Sequence, residues 1–274
     1  MRDNKMLKFI VKRVLMSIVI LFFVAMIIYG IMRCMPTSFV ENMARQKASR
    51  PGGGSYQEWL DKLNAIYHMD GSPITGFFAW LGQAIQGNFG ESWVYNIPVT
   101  EKFTRVIGYS FALGAVSFVL QMVIAIPLGI IAARKQYSKT DYAVSFFALL
   151  GISLPTFFLA TLLKWVFSIK LGWFDLFGMV DRMHETMTPI QQFLDIVKHF
   201  VLPTVTLTLV SVGSMMRYTR TNMLEVLNSD FIRTARAKGL SESRVINYHA
   251  FRNTLIPIVT IVGGSLPGLF AGAQ

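Results

Sequence analysis

Residues Gly108–Ala133 read GYSFALGAVSFVLQMVIAIPLGIIAA, a continuous apolar stretch without a charged side chain. An α-helix rises about 1.5 Å per residue, so about 20 apolar residues cross the ~30 Å hydrocarbon core of a bilayer. This stretch is long enough to do so, and Gln121 is its main polar residue. It therefore predicts a transmembrane helix.

Other apolar stretches share this character and also contain no Lys, Arg, Asp or Glu: Val14–Met32, Tyr142–Leu163, Phe200–Met216 and Leu255–Gln274. A buried helix of a soluble protein could account for one such stretch, but the core of a 274-residue soluble protein could not hold five. Only 15% of the residues are charged, against about 25% in typical soluble domains. We therefore predict an all-α polytopic membrane protein with five spans.

The segments that connect these spans alternate in charge. Lys and Arg accumulate in residues 1–13, in the short connection after Ala133 and in residues 217–254. The connections 33–107 and 164–199 carry charges of both signs. Because basic connections remain on the cytoplasmic side, we expect a cytoplasmic N-terminus and an external loop over residues 33–107. This distribution explains the net charge of +11 without a nucleic-acid partner.

The motifs of common enzyme classes are missing from the sequence. It contains no Gly-x-x-x-x-Gly-Lys-Ser/Thr, so it cannot bind ATP through a P-loop, and it has no His-Glu-x-x-His. Cys34 is the only cysteine, and the four histidines are scattered along the chain. We expect no catalytic residues, no metal ligands and no cofactor in this chain.

Four prolines lie within or at the ends of the apolar stretches: Pro127, Pro155, Pro203 and Pro257. Proline leaves a carbonyl unpaired and bends a membrane helix, while neighbouring helices restore the lost hydrogen bonds. We predict that these residues serve helix bending and packing. Both a tightly packed bundle and a pathway whose helices must bend agree with this pattern.

The segment from Asn228 to Pro257 reads NSDFIRTARAKGLSESRVINYHAFRNTLIP. Ser229 or Asp230 can cap a short helix, Gly239 can end it with a left-handed turn, and Ser241 can cap a second helix. The small side chains of Ala235 and Ala237 would keep the first helix slim enough for a groove in another protein. A basic loop lying on anionic lipid is an equally supported alternative.

Within this segment, residues Asp230–Gly239 resemble the cytoplasmic coupling loop of ABC importer permeases. The chain matches the form Asp-aromatic-aliphatic-Arg-Thr-Ala-Arg-Ala-Lys-Gly of the oligopeptide/dipeptide/nickel branch, although Arg233 and Thr234 depart from the general Glu-Ala-Ala pattern. Other segments similar to this branch are Gly87–Ser92, Gly151–Pro155, Leu171–Trp173, Leu202–Pro203 and Leu255–Pro257.

The resemblance implies the transmembrane fold of type I ABC importers, with residues 108–274 as the permease core. That fold has six spans, so we expect a chain truncated before its sixth. It also implies a second permease subunit, two ATP-binding subunits that hold ATP and magnesium, and an external substrate-binding protein. The residues expected to couple to the ATPase are Asp230, Phe231, Arg233, Thr234, Ala235, Arg236, Ala237, Lys238, Gly239 and Leu240.

The expected function is ATP-driven import, by alternating access, across the cell membrane of a bacterium or archaeon. Peptides are the cargo implied by the resemblance, with nickel chelates, glutathione and sugars as alternatives. The sequence does not indicate which residues bind the cargo, nor whether the two permeases are identical. The alternative from another functional class is a channel or membrane scaffold whose basic loop binds lipid.

Overall fold

The computed structural model describes residues 2–34, 39–49, 54–66, 71–92, 94–95 and 97–270. The chain divides into two compact units, Met1–Phe103 and Thr104–Gln274. Both are built mainly from helices, as predicted from the apolar stretches.

The first unit contains α1 (Arg2–Arg33), α2 (Phe39–Ala48), α3 (Tyr56–Ile66), α4 (Pro73–Ile85) and an antiparallel pair of short strands, β1 (Glu91–Ser92) and β2 (Ile97–Pro98). Helix α1 begins well before Val14, and most of its apolar side chains are exposed, as expected for a helix surrounded by lipid. Helices α2 and α3 enclose a small core of Val40, Ala44 and Leu63. The predicted loop over residues 33–107 therefore contains folded structure.

Helix α5 (Val99–Arg134) begins in the first unit and continues into the second. The second unit then contains α6 (Lys139–Ser153), α7 (Thr156–Lys164), α8 (Pro189–Leu227), α9 (Asp230–Ala237), α10 (Glu242–Arg244) and α11 (Phe251–Ser265). A π-helical turn, Trp165–Lys170, extends α7, and a second one, Val245–Ala250, joins α10 to α11. A 3-10 turn, His184–Thr186, precedes α8.

Among the described residues, four helices are long and apolar enough to cross a membrane: Lys5–Arg33, Val99–Arg134, Pro189–Leu227 and Glu242–Phe270. The fifth predicted span is a pair of helices, Lys139–Ser153 and Thr156–Lys170, that meet at 96°. Leu154 is extended (φ −85°, ψ 127°), because the residue before a proline avoids the helical region. Pro155 thus breaks this segment, whereas Pro127, Pro203 and Pro257 lie inside continuous helices.

Helices α6 and α8 pack with their backbones in close contact. A Cβ atom added to Gly151 would lie 2.8 Å from the carbonyl oxygen of Leu209, and one added to Gly213 would overlap the carbonyl oxygen of Ala148. Small residues allow such approach between membrane helices. A core of Ala125, Ala148, Met215, Met216 and Ile258 continues this contact to α5 and α11.

Candidate functional site

The site begins where α8 ends and α9 begins. Asn228 caps α8, and Ser229 adopts an extended conformation (φ −74°, ψ 153°) as the residue before α9. The Ser229 hydroxyl donates to the carbonyl of Val226, 2.6 Å away, and therefore faces α8 rather than capping α9. Asp230 is the first helical residue, where a carboxylate is favoured by the positive end of the helix dipole.

The end of α9 is the left-handed turn that the sequence predicts. Gly239 has φ +74°, and its N–H donates to the carbonyl of Arg236 at 2.9 Å. The N–H of Leu240 donates to the carbonyl of Ala235 at 3.4 Å. These two bonds form a Schellman motif, and Leu240 packs against the core beneath the helix, as is usual for that motif. The orientation of α9 is thus fixed at its end.

The inner face of α9 packs against the chain itself. Ile232 and Ala235 are spaced for one helix face, and both are buried in a core with Ala133 of α5, Met223 of α8 and Val245. We expected Ala235 to keep α9 slim for a partner groove; that role stays a prediction, and in the structure the side chain faces the core of its own chain. Its small side chain instead allows α9 to lie close to the ends of α5 and α8.

The outer face of α9 is exposed and rich in charge. Its exposed residues are Asp230, Phe231, Arg233, Thr234, Arg236 and Ala237, followed by Lys238 and Gly239. Phe231 stands out because 47% of this large aromatic side chain is exposed. An exposed aromatic residue among arginines is the composition typical of protein interfaces.

Ion pairs hold two of these arginines. Arg236 forms two hydrogen bonds with Glu242, from Nε to Oε2 at 3.2 Å and from Nη2 to Oε1 at 2.8 Å. The bonding to this carboxylate raises the pKa of Arg236 further. Arg233 lies 3.4 Å from Asp230 within the first turn. The pair between Arg236 and Glu242 bridges the left-handed turn and stabilises its shape.

The last turns of α8 carry a pair that the sequence did not predict. Arg220 forms a bidentate ion pair with Asp141, at the start of α6. The basic connection 217–254 begins with the last turns of α8, since residues 217–227 belong to that helix. The hydropathy falls towards this end of α8 while the helix continues, so the apolar pattern placed the boundary too early. The sequence did contain a signal for the start of α6, because the pattern Ser138-x-x-Asp141 is typical of a helix start.

A second polar cluster lies near the other end of α8. The Asp195 carboxylate lies 2.6 Å from Nδ1 of His184 and 3.0 Å from Nδ1 of His199, and it accepts from the N–H of Asp181 at 3.0 Å. Asp195 is buried, as is the ring of His199. The cluster anchors the segment before α8 to the helix itself.

The family model for "binding-protein-dependent transport system inner membrane component" matches residues 125–273. The oligopeptide transport system permease protein AppB of Bacillus subtilis is 35% identical over 269 residues, which cover 98% of this chain and 81% of that protein. The oligopeptide transport system permease protein OppB of Salmonella typhimurium is 36% identical over 270 residues, with the same coverage of 98% and 81%. OppB of Escherichia coli K12 is 34% identical over 270 residues. The matched regions include the whole of α9 and its surroundings.

Proposed function

This chain belongs to the family of binding-protein-dependent transport system inner membrane components and is a permease subunit of an ABC importer, and we propose that its cargo is peptides. The named relatives are permeases of oligopeptide transport systems. The apolar stretches without ionised side chains agree with this cargo, because such a pathway does not select among peptides by charge.

The proposed orientation places the N-terminus, the connection between α5 and α6, and α9 in the cytoplasm. The charge pattern supports it, because basic connections stay on that side. Two contacts agree with it: Ala133, at the end of α5, shares a core with Ile232 of α9, and Asp141 pairs with Arg220. The two basic segments thus lie at the same end of the second unit.

The proposed role of α9 is to dock onto an ATP-binding subunit, and one observation carries it. The chain fills the inner face of α9 with its own core, while Phe231 and the charged residues face outward from a helix fixed at its C-terminal end. A helix that is anchored on one face and presents an aromatic and charged surface on the other can transmit force between two proteins.

The partners in this proposal supply energy and cargo. Two ATP-binding subunits hold ATP and magnesium and close on nucleotide binding, which moves α9. A second permease subunit completes the pathway, and an external binding protein delivers the peptide. This chain supplies the pathway and the docking surface, and it holds no cofactor.

Co-purification tests the docking. The permease with its partner subunits is expressed with Phe231→Ala, and the ATP-binding subunit retained in detergent is quantified. We expect clearly reduced retention, because a truncated interface aromatic commonly costs about 1 kcal/mol or more in affinity. The matched control is Phe157→Ala, whose side chain on α7 is also exposed. Normal retention by Phe231→Ala, or no ATP-binding subunit with the unaltered chain, would contradict the proposal and favour a channel or scaffold.

Uptake into proteoliposomes tests the cargo. The complete complex is supplied with its binding protein and labelled peptides, with and without ATP inside the vesicle. We expect ATP-dependent uptake that unlabelled peptides inhibit. Competition by a nickel chelate, glutathione or a sugar, with no competition by peptides, would instead identify one of those as the cargo.

A further inference from the structure

Arg220 and Asp141 join α8 to the start of α6. Arg220 Nε donates to Asp141 Oδ1 at 2.7 Å, and Arg220 Nη2 donates to Oδ2 at 2.7 Å. Asp141 is only 3% exposed, and the Arg220 side chain is 24% exposed. The fork of a guanidinium fixes the orientation as well as the distance of a carboxylate.

The Asp141 carboxylate also accepts hydrogen bonds from residues in and just before α6. Oδ2 accepts from the N–H of Tyr137 at 3.0 Å, and Oδ1 accepts from the Ser145 hydroxyl at 3.4 Å. The N–H of Asp141 donates to the Ser138 hydroxyl, which caps α6. Asp141 therefore links Arg220 to the turn between α5 and α6 through Tyr137, whose backbone is left-handed at φ 62°.

The ion pair lies in line with two close backbone contacts between α6 and α8. Ala148 lies seven residues after Asp141, and its carbonyl contacts Gly213, seven residues before Arg220. Gly151 contacts Leu209 further along. The same spacing on both helices places these contacts about two turns apart along an antiparallel pair. Close backbone contact along this line favours movement of α6 together with α8.

The segment of α8 that carries Arg220 also supports α9. Thr219 contacts Gly129 of α5, and Met223, one turn beyond, is fully buried in the core that holds Ile232 and Ala235 of α9. Thr254 of α11 contacts Met223 as well. The pair thus lies between the inner face of α9 and the α6–α7 bend at Pro155.

We propose that Asp141 and Arg220 are positioning residues for transport: their ion pair carries the movement of α9 to the bent α6–α7 segment. The inference rests on the proposed docking of α9 to an ATP-binding subunit. Apolar contacts alone allow one helix to slide or rotate on another, whereas a bidentate pair allows one register. Without the ion pair, ATP hydrolysis continues, but a smaller fraction of the hydrolysis cycles produces transport.

The test compares uptake with ATP hydrolysis in the complete reconstituted complex. Asp141→Asn is the main variant, because it leaves no buried unpaired carboxylate. We expect uptake per ATP hydrolysed to fall at least about fivefold, the lower end of measured coupling between sites. Arg220→Lys keeps the positive charge but loses the two-pronged guanidinium, so the uptake per ATP hydrolysed should fall less than in Asp141→Asn. The exchanged pair Asp141→Arg with Arg220→Asp should recover part of the ratio.

Ser214→Ala is the matched control, because it removes an exposed hydroxyl of α8 that bonds to the Ser211 carbonyl of its own helix, and it leaves the ion pair and its supporting hydrogen bonds intact. It should keep the unaltered ratio. Hydrogen exchange on the complex trapped with nucleotide provides a second measurement. In the unaltered complex, trapping should change exchange both in residues 224–240 and around the bend at 150–160. In Asp141→Asn, the change in residues 224–240 should persist, and the change at the bend should be lost.

If the ion pair between Asp141 and Arg220 only stabilises the fold, the experiment gives a different result. Uptake and hydrolysis would then fall together with the amount of assembled complex, at a constant ratio, and the inference would be overturned. An unaltered ratio in assembled Asp141→Asn, or an unaltered change at the bend, would overturn it too. Failure of the proposed function is distinguishable, because the unaltered complex would then show no ATP-dependent uptake at all.

Discussion

Gly213 of α8 lies against the backbone of Ala148 in α6, so closely that a methyl group on Gly213 would overlap the Ala148 carbonyl oxygen. The obstructing atom belongs to a backbone and cannot rotate away as a side chain would. The contact therefore requires glycine for its space alone, since Gly213 lies within the regular helix α8. This relationship sets the distance between two helices of the permease.

Gly213→Ala is expected to destabilise the protein by about 1–3 kcal/mol, the usual cost of overpacking. Thermal unfolding of the purified permease in detergent measures this cost. Gly263→Ala serves as the control, because Gly263 is also helical and a Cβ there meets no atom within 4 Å. Equal melting temperatures for the two variants would show that α6 and α8 are not in close contact.

Ile232→Ala should lower the stability of the protein and Phe231→Ala the retention of the ATP-binding subunit, although the two residues are adjacent. Ile232 is fully buried, so its truncation should cost about 2–5 kcal/mol of stability through the cavity it leaves. Phe231 is exposed, so its truncation should change stability by less than about 0.5 kcal/mol. Melting temperatures and retention of the ATP-binding subunit, measured on the same samples, separate the two. A stability loss in Phe231→Ala would mean that α9 faces the other way.

Gly239→Ala should cost about 1–2 kcal/mol, because a side chain in the left-handed region is strained. A Cβ at Gly239 meets no atom of other residues within 4 Å, so the cost comes from the local backbone conformation and not from a clash with the rest of the fold. Faster hydrogen exchange of the Leu240 amide measures the loss of the turn. Gly239→Asn is the control and should cost less, since asparagine tolerates this conformation.

Gly239→Glu adds a negative charge to the same strain, next to the outer face of α9. We expect it to uncouple ATP hydrolysis from uptake while the complex is expressed normally. The measurement is the ratio of uptake to hydrolysis in proteoliposomes. Normal ATP-driven uptake by this variant would contradict the assignment of α9 as the docking helix.

Asp195→Asn should release the segment before α8. The carboxylate binds two histidine rings and the N–H of Asp181, and an amide oxygen and NH₂ group cannot replace all three contacts. We expect limited proteolysis to cut residues 171–188 several times faster, about the effect of losing 1 kcal/mol of hydrogen bonding. Glu185→Gln, an exposed carboxyl group in the same segment, is the control. Equal cleavage rates would show that Asp195 does not anchor the segment.

Much of this fold follows from the sequence. Apolar stretches predicted the membrane helices, because length and hydropathy are sufficient for that inference. The end of α9 was predicted from Gly239, since a left-handed turn depends on local residues, whereas the Ser229 hydroxyl bonds to α8 and does not cap α9. The match of residues 125–273 to a transport family confirms the class of protein that the resemblance implied.

Other features depend on packing and were not predicted. The small side chain of Ala235 suits either face of a helix, so only the core around Met223 shows that it faces inward. A charged substitution at Ala235 would therefore test folding and not docking. The partner of Arg220 lies 79 positions away in sequence, and the pattern of basic residues gave no reason to choose Asp141.

The bend at Pro155 has a consequence for how the protein is made. Helix α6 has only 15 residues, fewer than the ~20 that a straight helix needs to cross a bilayer. Its seat on α8 is created by Gly213, which is synthesised later. The contact between α6 and Gly213 therefore forms only after α8 has been synthesised, so α6, which is too short to cross the bilayer as one straight helix, gains this neighbour late in the synthesis of the chain.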